Sequence, residues 1–407
     1  MVPRDDALLA GLRVQARTVQ PRTVALRRAL HRRPEVGLDL PVTRDAVLAA
    51  LADLPLQVHL GRAVTSVVAV LEGSRPGPTV LLRGDMDALP LHEDTALEFA
   101  SEIPGAMHAC GHDTHVAMLA SAARVLADHR DDIAGRVLLM FQPGEEGFHG
   151  ARYMIEEGLL DEHGRPDAAY ALHISSTVPT GELQTRAGPV MAAADVLRVT
   201  VTGRGGHASA PHDALDPVPA AAAMVGALQV ALTRRIDAHH PVVLTIAHIT
   251  AGTTNNVIPE TAFLEGTLRT LSGPVRARLL EEIDRVCLHT ALAHGCTAEV
   301  EIEPGYPVTV NDADAAAAVR GLAVDMLGRK RVVDMMAPIM GAEDFSYVLA
   351  EVPGALAFLG GCPPGVDPAT APPNHSNRVV FDEAAMVDGV ALYAGLALRA
   401  CARKQVL

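Results

Sequence analysis

The chain has 407 residues, more than a single hydrophobic core usually supports, so we expect two domains. Hydrophobic residues make up 49% and charged residues 20%, a balance that excludes a disordered chain. The formal net charge of −14 and the lack of a long basic run argue against nucleic acid as a partner.

The cysteines and the start of the chain indicate a cytoplasmic protein. There are five cysteines, an odd number scattered along the chain, which predicts reduced thiols. The opening residues, MVPRDDALLAGLRVQ, carry acids where a signal peptide would need an apolar core. No apolar run is expected to span a membrane, so we predict no membrane partner.

In the first half of the chain, helices alternate with short apolar strands. We predict helices over 23–33, 43–54 and 114–127, and strands over 64–71, 80–83, 136–141 and 168–172. Polar residues cluster where these strands end. The pattern therefore predicts an α/β sheet with a functional site at its carboxyl edge.

From about Asp195 the order changes to strand, helix, strand, strand, helix, strand. These elements are predicted over 196–202, 217–232, 242–250, 261–270, 276–294 and 297–302. The order is that of a ferredoxin-like βαββαβ domain. Helices over 313–327 and 383–402 and a strand over 355–359 then return to the α/β pattern of the first half of the chain. We predict a larger α/β domain from 1–187 and 306–407, with a smaller domain inserted at 188–305.

Two short motifs carry chemistry. The segment 107–113, MHACGHD, places a thiol and two imidazoles at alternating positions, which can point the same way in a non-helical segment. Thiolate and imidazole bind borderline-soft divalent metals. Further along, QPGEEG at 142–147 places Glu145 and Glu146 on a turn after a strand. A metal ion next to a carboxylate that is not itself a ligand is the minimum needed to activate a water molecule.

These motifs belong to a longer series that covers nearly the whole chain. The series is LHRRPEVGLD (30–39), RGDMDALP (83–90), MHACGHD (107–113), FQPGEEG (141–147), ALHIS (171–175), GRGGHASAPH (203–212), TNNVIPETAFLEGTLRT (254–270), GAEDF (341–345) and FDEAAM (381–386). In this order it resembles the metal-dependent N-acyl-amino-acid amidohydrolases. That group contains hippurate hydrolase, auxin-conjugate hydrolases and N-acetyl-diaminopimelate deacetylases, and is related to aminoacylase and the dinuclear zinc carboxypeptidases.

The resemblance implies a catalytic α/β domain with a dinuclear metal site and an inserted domain that serves as lid and dimerisation domain. Cys110 would bridge two divalent metal ions. The other ligands would be His112, Glu146, His173 and His375. Glu145 would be the general base, taking a proton from the water between the ions and delivering it to the leaving amine. Zinc, manganese, cobalt and nickel are all compatible with these donors.

The same resemblance implies further candidates in the inserted domain. His207 would reach the active site of the partner subunit in a homodimer and stabilise the oxyanion. Asn256 and Arg269 would bind the substrate's carboxylate, for which a planar guanidinium is well suited. The alternative for Arg269 is an outward position that faces solvent. The turn at 203–206 lacks the spacing of a nucleotide-binding fingerprint.

Several acids and histidines near the motifs have other interpretations. Asp87 either orients a ligand imidazole or caps its own loop. Asp113 either orients a ligand imidazole or caps the helix that follows it. Asp85 takes a position that is often a metal-binding His in the wider superfamily, and we do not assign it as a ligand. His108 and His115 flank the metal-like motif and are not assigned as ligands either.

The leading hypothesis is hydrolysis of a small-molecule N-acyl-amino acid to a carboxylate and a free amino acid. The alternative is an exopeptidase of the same superfamily, in which an Asp usually takes the bridging place of Cys110. A thiol-nucleophile hydrolase and a metal-bound scaffold without catalysis are the remaining hypotheses, and the spare Glu145 argues against the scaffold. Glu343 and Asp344 either line the site or cap the helix after Gly341.

Overall fold

The computed structural model describes residues 3–402, with side chains from Leu8 onward. Its α-helices are α1 (Pro3–Arg32), α2 (Pro41–Leu51), α3 (His112–Asp128), α4 (Gly150–Glu156), α5 (Pro217–Arg235), α6 (Gly273–Ala293), α7 (Ala313–Leu327), α8 (Ser346–Glu351) and α9 (Ala385–Ala402). Its strands are β1 (Gln57–Leu60), β2 (Val67–Glu72), β3 (Arg75–Asp85), β4 (Ala134–Gln142), β5 (Ala168–Pro179), β6 (Leu183–Thr185), β7 (Gly188–Met191), β8 (Ala193–Thr202), β9 (Gly206–His207), β10 (Val242–Ala251), β11 (Val257–Ile258), β12 (Thr261–Thr270), β13 (Thr297–Pro304), β14 (Thr309–Asn311), β15 (Val332–Asp334) and β16 (Gly354–Cys362).

The chain divides into two compact units. The first unit comprises Met1–Val190, Val310–Met336 and Tyr347–Leu407, and the second comprises Met191–Thr309 and Ala337–Ser346. The five cysteines are all buried, and none is paired in a disulfide.

The first unit is built on an eight-stranded mixed sheet. Its strand order is β1-β2-β4-β3-β5-β16-β6-β15. The central strands β4, β3, β5 and β16 run parallel to one another. Every residue of β16 is buried, as expected for a parallel strand covered on both faces. Because parallel strands end at the same edge, the loops after β3, β4 and β5 meet there.

Strands β3 and β5 separate near their carboxyl ends. The ladder between them stops at the pair Arg83 and Ala171. Beyond it, the hydroxyl of Tyr393 on α9 donates to the carbonyl of Arg83 (2.7 Å) and accepts the N–H of Leu172 (3.0 Å). These buried backbone groups therefore keep partners at the place where the sheet opens. The opening lies at the edge where the polar motifs follow the strands.

Helix α9 is more apolar than the sequence interpretation allowed. By length and composition alone it could cross a membrane, which contradicts the expectation that no apolar run is long enough. In the fold, 78% of the helix is buried within the molecule. It packs against α1, α3, α7 and the sheet in the main core of the first unit. A helix that is hydrophobic all round is typical of such a core position.

Helix α1 begins much earlier than predicted. It starts at Pro3 and not at Thr23, and it continues through Pro21. A proline inside a helix removes one backbone hydrogen bond. Here Pro21 is exposed, as is Arg17 four residues earlier, so water can replace the lost bond. The buried face of Leu12, Ala16 and the following turns holds the longer helix against the core.

A buried ionic cluster ties α1 to the start of α3. The carboxylate of Asp113 lies 3.1 Å from Arg27 Nε and 2.8 Å from His31 Nδ1. The other ring nitrogen of His31 lies 3.3 Å from a carboxylate oxygen of Glu93. The N-cap of α3 is Gly111, so neither earlier interpretation of Asp113 holds. Its carboxylate anchors α1, a role that local sequence spacing does not reveal.

This cluster predicts a fall in stability at alkaline pH. Burial works to lower the pKa of His31, but the carboxylates of Asp113 and Glu93 outweigh it and raise the pKa to about 9. The contribution is therefore complete below the unfolded pKa of about 6.5 and is lost as the pH rises through 9. Between about pH 6 and 10 the free energy of unfolding should fall by roughly 2–4 kcal/mol more in the wild type than in His31→Gln. Urea titrations of both proteins at both pH values measure this, and equal falls would contradict it.

The second unit has the predicted βαββαβ order. Its four-stranded antiparallel sheet has the order β10-β12-β8-β13, with α5 and α6 packed on it. Strand β12 alternates inward and outward residues, with Ala262, Leu264 and Leu268 in the core. Helices α5 and α6 are capped by Asp216 and Ser272, whose side chains accept backbone N–H groups of the first helical turns. The predicted fold class, an α/β unit plus a ferredoxin-like one, is confirmed.

Candidate metal centre

The predicted site residues of the first unit gather at the carboxyl edge of its sheet. Strand β3 ends at Asp85 and leads to Asp87, and β4 leads into the turn that carries Glu145 and Glu146. Strand β5 carries His173 at the same edge. The ends of β3 and β4, and β5 just beyond its ladder with β3, therefore supply most of the candidates.

The thiol of Cys110 lies at the middle of these residues. Cys110 is buried, and its Sγ lies 3.4 Å from His173 Nε2 and 3.3 Å from His375 Nε2. One imidazole comes from β5 and the other from the loop before α9. A thiol approached by two imidazole nitrogens is an arrangement typical of soft-metal sites.

Donor atoms around Cys110 form two sets that share its sulfur. Within each set the atoms lie within 4.8 Å of one another, and the sets are Cys110, His112 and His173, and Cys110, Glu146 and His375. Between the sets, His112 Nε2 lies 4.0 Å from Glu146 Oε1. In the second set, His375 Nε2 lies 3.2 Å from the same oxygen. The structure thus brings all five predicted ligands to one place, with one donor common to both sets.

One atom of this cluster tests whether a cation fits. His112 Nε2 is buried and has no hydrogen-bond partner among the described residues, although Asp85 Oδ2 lies 3.3 Å away. A buried polar atom without a partner costs about 1–3 kcal/mol, so such atoms are rare unless they bind something. The cluster offers one thiol, three imidazoles and one carboxylate, the donors that zinc and similar ions prefer. The residues present fit a pair of divalent ions.

The protonation of the cluster couples ion binding to pH. Burial, and then the charge of Glu146, raise the pKa of the Cys110 thiol. Hydrogen bonds to Cys110 and Glu146 raise the pKa of His375 to about 10. Burial works to lower the pKa of His112, but Asp85 and Cys110 raise it well above its usual range. Because a metal needs these groups deprotonated, ion uptake must release protons and strengthen as the pH rises.

Asp87 holds two parts of the cluster at once. Its carboxylate oxygens accept the backbone N–H groups of Glu145 (2.9 Å) and Glu146 (3.0 Å). Its backbone carbonyl accepts a hydrogen bond from His112 Nδ1 (2.8 Å), which leaves Nε2 of the neutral ring as the metal-facing nitrogen. The imidazole contact therefore belongs mainly to the backbone of Asp87, since its carboxylate oxygen lies 3.5 Å from that ring nitrogen. The carboxylate caps the turn of the glutamate pair.

Asn374 is an organising residue that the sequence interpretation missed. Its amide nitrogen donates to the carbonyls of Cys110 (3.1 Å) and Ile174 (3.0 Å), and its oxygen accepts the N–H of Ser176 (3.1 Å). The next residue, His375, has a φ of 71°, a strained left-handed conformation for a residue other than glycine. Asn374 thus fixes the loop that presents His375. The one sequence signal for it was its position next to that histidine.

His108 stands apart from the sets that share Cys110. His108 is buried, neither ring nitrogen has a hydrogen-bond partner among the described residues, and burial lowers its pKa to about 3. The carboxylate of Glu343 accepts the N–H of Phe345 (2.9 Å) just before α8. Because Phe345 precedes the helix, this contact closes a turn, and both interpretations of Glu343 stay predictions.

The candidates from the inserted domain lie in the second unit. His207 is exposed on β9, which pairs with β11, and the N–H of Ala208 donates to the carbonyl of Asn256 (3.1 Å). His207 and Asn256 are therefore neighbours. Arg269 is half-buried on β12, and its guanidinium forms no ion pair with any residue that the structure describes. The roles suggested for these three residues stay predictions.

Comparison with known proteins identifies relatives along most of the chain. The sequence model of Peptidase family M20/M25/M40 matches residues 81–399. The chain is 38% identical to thermostable carboxypeptidase 1 of Saccharolobus solfataricus over 96% of this chain and 98% of that protein. It is also 38% identical to IAA-amino acid hydrolase ILR1-like 2 of Arabidopsis thaliana, over 83% of this chain and 76% of that protein.

A solved structure of the same family supports the comparison. It is a dinuclear metal binding peptidase of the M20 family from Bacillus subtilis. The two chains superpose with a TM-score of 0.83 at 30% identity, over 95% of this chain and 99% of the other. The resemblance to metal-dependent amidohydrolases is thereby confirmed.

The double contact of Asp87 generates a prediction about ion affinity. In Asp87→Asn, the amide oxygen can accept one of the two N–H groups, while the amide nitrogen would face the other. We expect the affinity for zinc to fall about 10–100-fold, as for other residues that orient metal ligands. Calorimetric titration with zinc measures it.

The matched control for this variant is Asp167→Asn. Asp167 also accepts a backbone N–H, that of Thr79 (2.9 Å), but it lies outside the donor cluster. It should bind zinc like the wild type. Equal losses in the two variants would show that Asp87 contributes only general stability.

Proposed function

Because the chain belongs to Peptidase family M20/M25/M40, we propose that it hydrolyses the amide bond of N-acyl-amino acids at a pair of divalent metal ions. Membership makes it a metal-dependent enzyme that cleaves linear amides. The substrate, the identity of the ions and the roles of individual residues are the proposal. The observation that carries it is the convergence of two donor sets on Cys110, beside the carboxylate of Glu145.

The proposed mechanism assigns proton transfer to Glu145. A pair of divalent ions between these donors would polarise the amide carbonyl and lower the pKa of a water molecule. Glu145 is buried, and its Oε2 lies 3.9 Å from His112 Nε2, at the border of the cluster but outside both sets that share Cys110. It takes a proton as the water oxygen adds to the carbonyl carbon. It then delivers this proton to the amine nitrogen as the carbon–nitrogen bond breaks.

The two adjacent glutamates can divide these tasks because Asp87 fixes their backbone. Both N–H groups of the pair bind the Asp87 carboxylate, so the turn has one defined conformation. Glu146 then lies against His375, which supports a role as ligand. We assign Glu145 to the substrate side. Without this constraint the two side chains could exchange positions.

For the second unit we propose that it recognises the substrate's free carboxylate. The guanidinium of Arg269 has no ion pair among the described residues, which supports a role in binding an external anion. The N–H of Ser209 donates to His207 Nδ1 (3.1 Å), so the neutral ring presents an N–H at Nε2. That group suits the stabilisation of an oxyanion. We expect His207 to act on the partner subunit of a homodimer and Asn256 to assist Arg269.

An exopeptidase is the second candidate. The 38% identity to a protein named thermostable carboxypeptidase 1 favours it. Both reactions cleave an amide next to a residue with a free carboxylate, so the same carboxylate-binding residues serve both. The two candidates differ in the group on the other side of the bond, an acyl group or a peptide.

A panel assay tests the proposed function. Release of amino acid is measured from N-acetyl, N-benzoyl and indole-acyl amino acids and from dipeptides, after chelation and after addition of zinc, manganese, cobalt or nickel. We expect activity to vanish on chelation, return with metal and be highest on N-acyl-amino acids. Highest activity on dipeptides would favour the exopeptidase. Activity that survives chelation but not thiol alkylation would favour a thiol nucleophile and overturn the proposal.

The first prediction from this mechanism concerns Glu145→Gln. The amide cannot accept the proton from water, so kcat should fall by about 100- to 10,000-fold while both ions stay bound. Glu146→Gln is the informative neighbour, because it should lower ion affinity as well. Metal analysis and steady-state kinetics on both variants separate the two roles. Wild-type turnover in Glu145→Gln would remove the assigned base.

The second prediction concerns Arg269→Ala. A charge-assisted hydrogen bond to a carboxylate contributes about 1.5–3 kcal/mol, so KM should rise roughly 10–100-fold for substrates with a free carboxylate. KM for the corresponding amides should change little. Arg198→Ala is the control, because Arg198 on neighbouring β8 already pairs with Glu265 and Glu303. Equal losses on acids and amides would count against the carboxylate role.

A further inference from the structure

His115 is a buried imidazole beside the metal donors whose two ring nitrogens are both engaged. Its Nδ1 lies 2.5 Å from a carboxylate oxygen of Asp85, and its Nε2 accepts the backbone N–H of Ile174 (2.8 Å). Because an N–H needs an acceptor, Nε2 carries the lone pair and Nδ1 carries the proton that Asp85 accepts. No lone pair is left for a metal. His115 is therefore not a ligand, although it lies in a potential ligand group with Asp85 and His112.

Asp85 holds His115 in this orientation. Its second carboxylate oxygen pairs with the guanidinium of Arg83 (2.6 Å), and Arg83 also donates to the side-chain oxygen of Gln142 (2.9 Å). All four side chains are buried, so the charges of Arg83 and Asp85 stay paired in a low-dielectric environment. The ring of His115 is thereby fixed by groups that cannot move to solvent.

The hydrogen bond between His115 and Ile174 also affects the orientation of His173. Strand β3 no longer pairs with β5 at this point, because their ladder ends at Ala171. The N–H of Ile174 therefore has His115 as its acceptor in place of a strand. The carbonyl of Ile174 accepts a hydrogen bond from His173 Nδ1 (2.8 Å), so the His173 ring presents Nε2 to Cys110. The N–H of Ile174 is held by His115, and its carbonyl holds the ring of His173. Together these two hydrogen bonds orient His173.

We infer that His115 is a positioning residue for one of the two proposed metal ions. Through the N–H of Ile174 it fixes the backbone that aims His173 at Cys110. It should therefore support the ion bound by Cys110, His112 and His173. It should not support the ion bound by Cys110, Glu146 and His375. The inference rests on the proposed function, since it requires that two ions bind.

Two substitutions separate the contacts of His115. Gln places an oxygen near the position of Nε2 and can still accept the N–H of Ile174. Asn reaches only the position of Nδ1, so it can serve Asp85 but leaves that N–H without an acceptor. We expect His115→Asn to lose about 10–100-fold in affinity for one of two zinc equivalents, and His115→Gln to keep both. Calorimetry and metal analysis of each protein give the stoichiometry.

The matched control is the same substitution at His108. That imidazole is equally buried in the same segment of chain, but it has no hydrogen bond among the described residues to lose. His108→Asn should bind two zinc ions with wild-type affinities. Wild-type binding in His115→Asn, or the same loss in His115→Asn and His115→Gln, would overturn the inference.

A second measurement does not depend on any variant folding. Nitrogen-15 spectra of wild-type protein with labelled histidine report which ring nitrogen carries the proton. We expect His115 to carry it on Nδ1, and a proton on Nε2 would overturn the inference. Failure of the wild type to bind two zinc ions would instead overturn the proposed function, so the two failures are distinguishable.

Discussion

The approach of two imidazoles to one buried thiol is the interaction on which the rest of this molecule depends. Cys110, His173 and His375 come from a loop before α3, from β5 and from the loop before α9. The Nε2 atoms of the two histidines lie 3.4 and 3.3 Å from the Cys110 sulfur. None of these segments could hold that geometry alone. Asn374 links all three through its side-chain amide, and Tyr393 satisfies the backbone where the sheet opens. The fold brings the donors together, and hydrogen bonds set their directions.

Around the donors, buried charges are paired in a consistent way. Arg83 neutralises Asp85 on the sheet side, and Arg27 neutralises Asp113 on the helix side. An unpaired charge at either place would destabilise the fold by several kcal/mol. The donor cluster itself contains a carboxylate, a thiol and three imidazoles, and a cation can bind their lone pairs. The same ionic groups thus serve the stability of the first unit and the direction of its ligands.

The sequence predicted the fold class and the family because both depend on local patterns and on motif order. Strand and helix periodicity located most elements. The motifs contain four of the five predicted donors, and His375 lies between the last two motifs. Other features depend on tertiary partners that spacing does not show. Helix α1 passes Pro21 because its other face is buried, and Asp113 pairs with a helix far away in sequence. The roles of Asn374 and His115 follow from backbone groups left without strand partners, which only the fold defines.

The shared thiolate can be measured directly by X-ray absorption at the zinc edge, on protein loaded with two equivalents of zinc. If Cys110 bridges both ions, each zinc has on average one sulfur neighbour at about 2.3 Å, with nitrogen and oxygen as the remaining neighbours. An average of half a sulfur per zinc would mean that the thiol binds a single ion. No sulfur neighbour would mean that it binds neither, and either result would contradict a dinuclear centre built on Cys110.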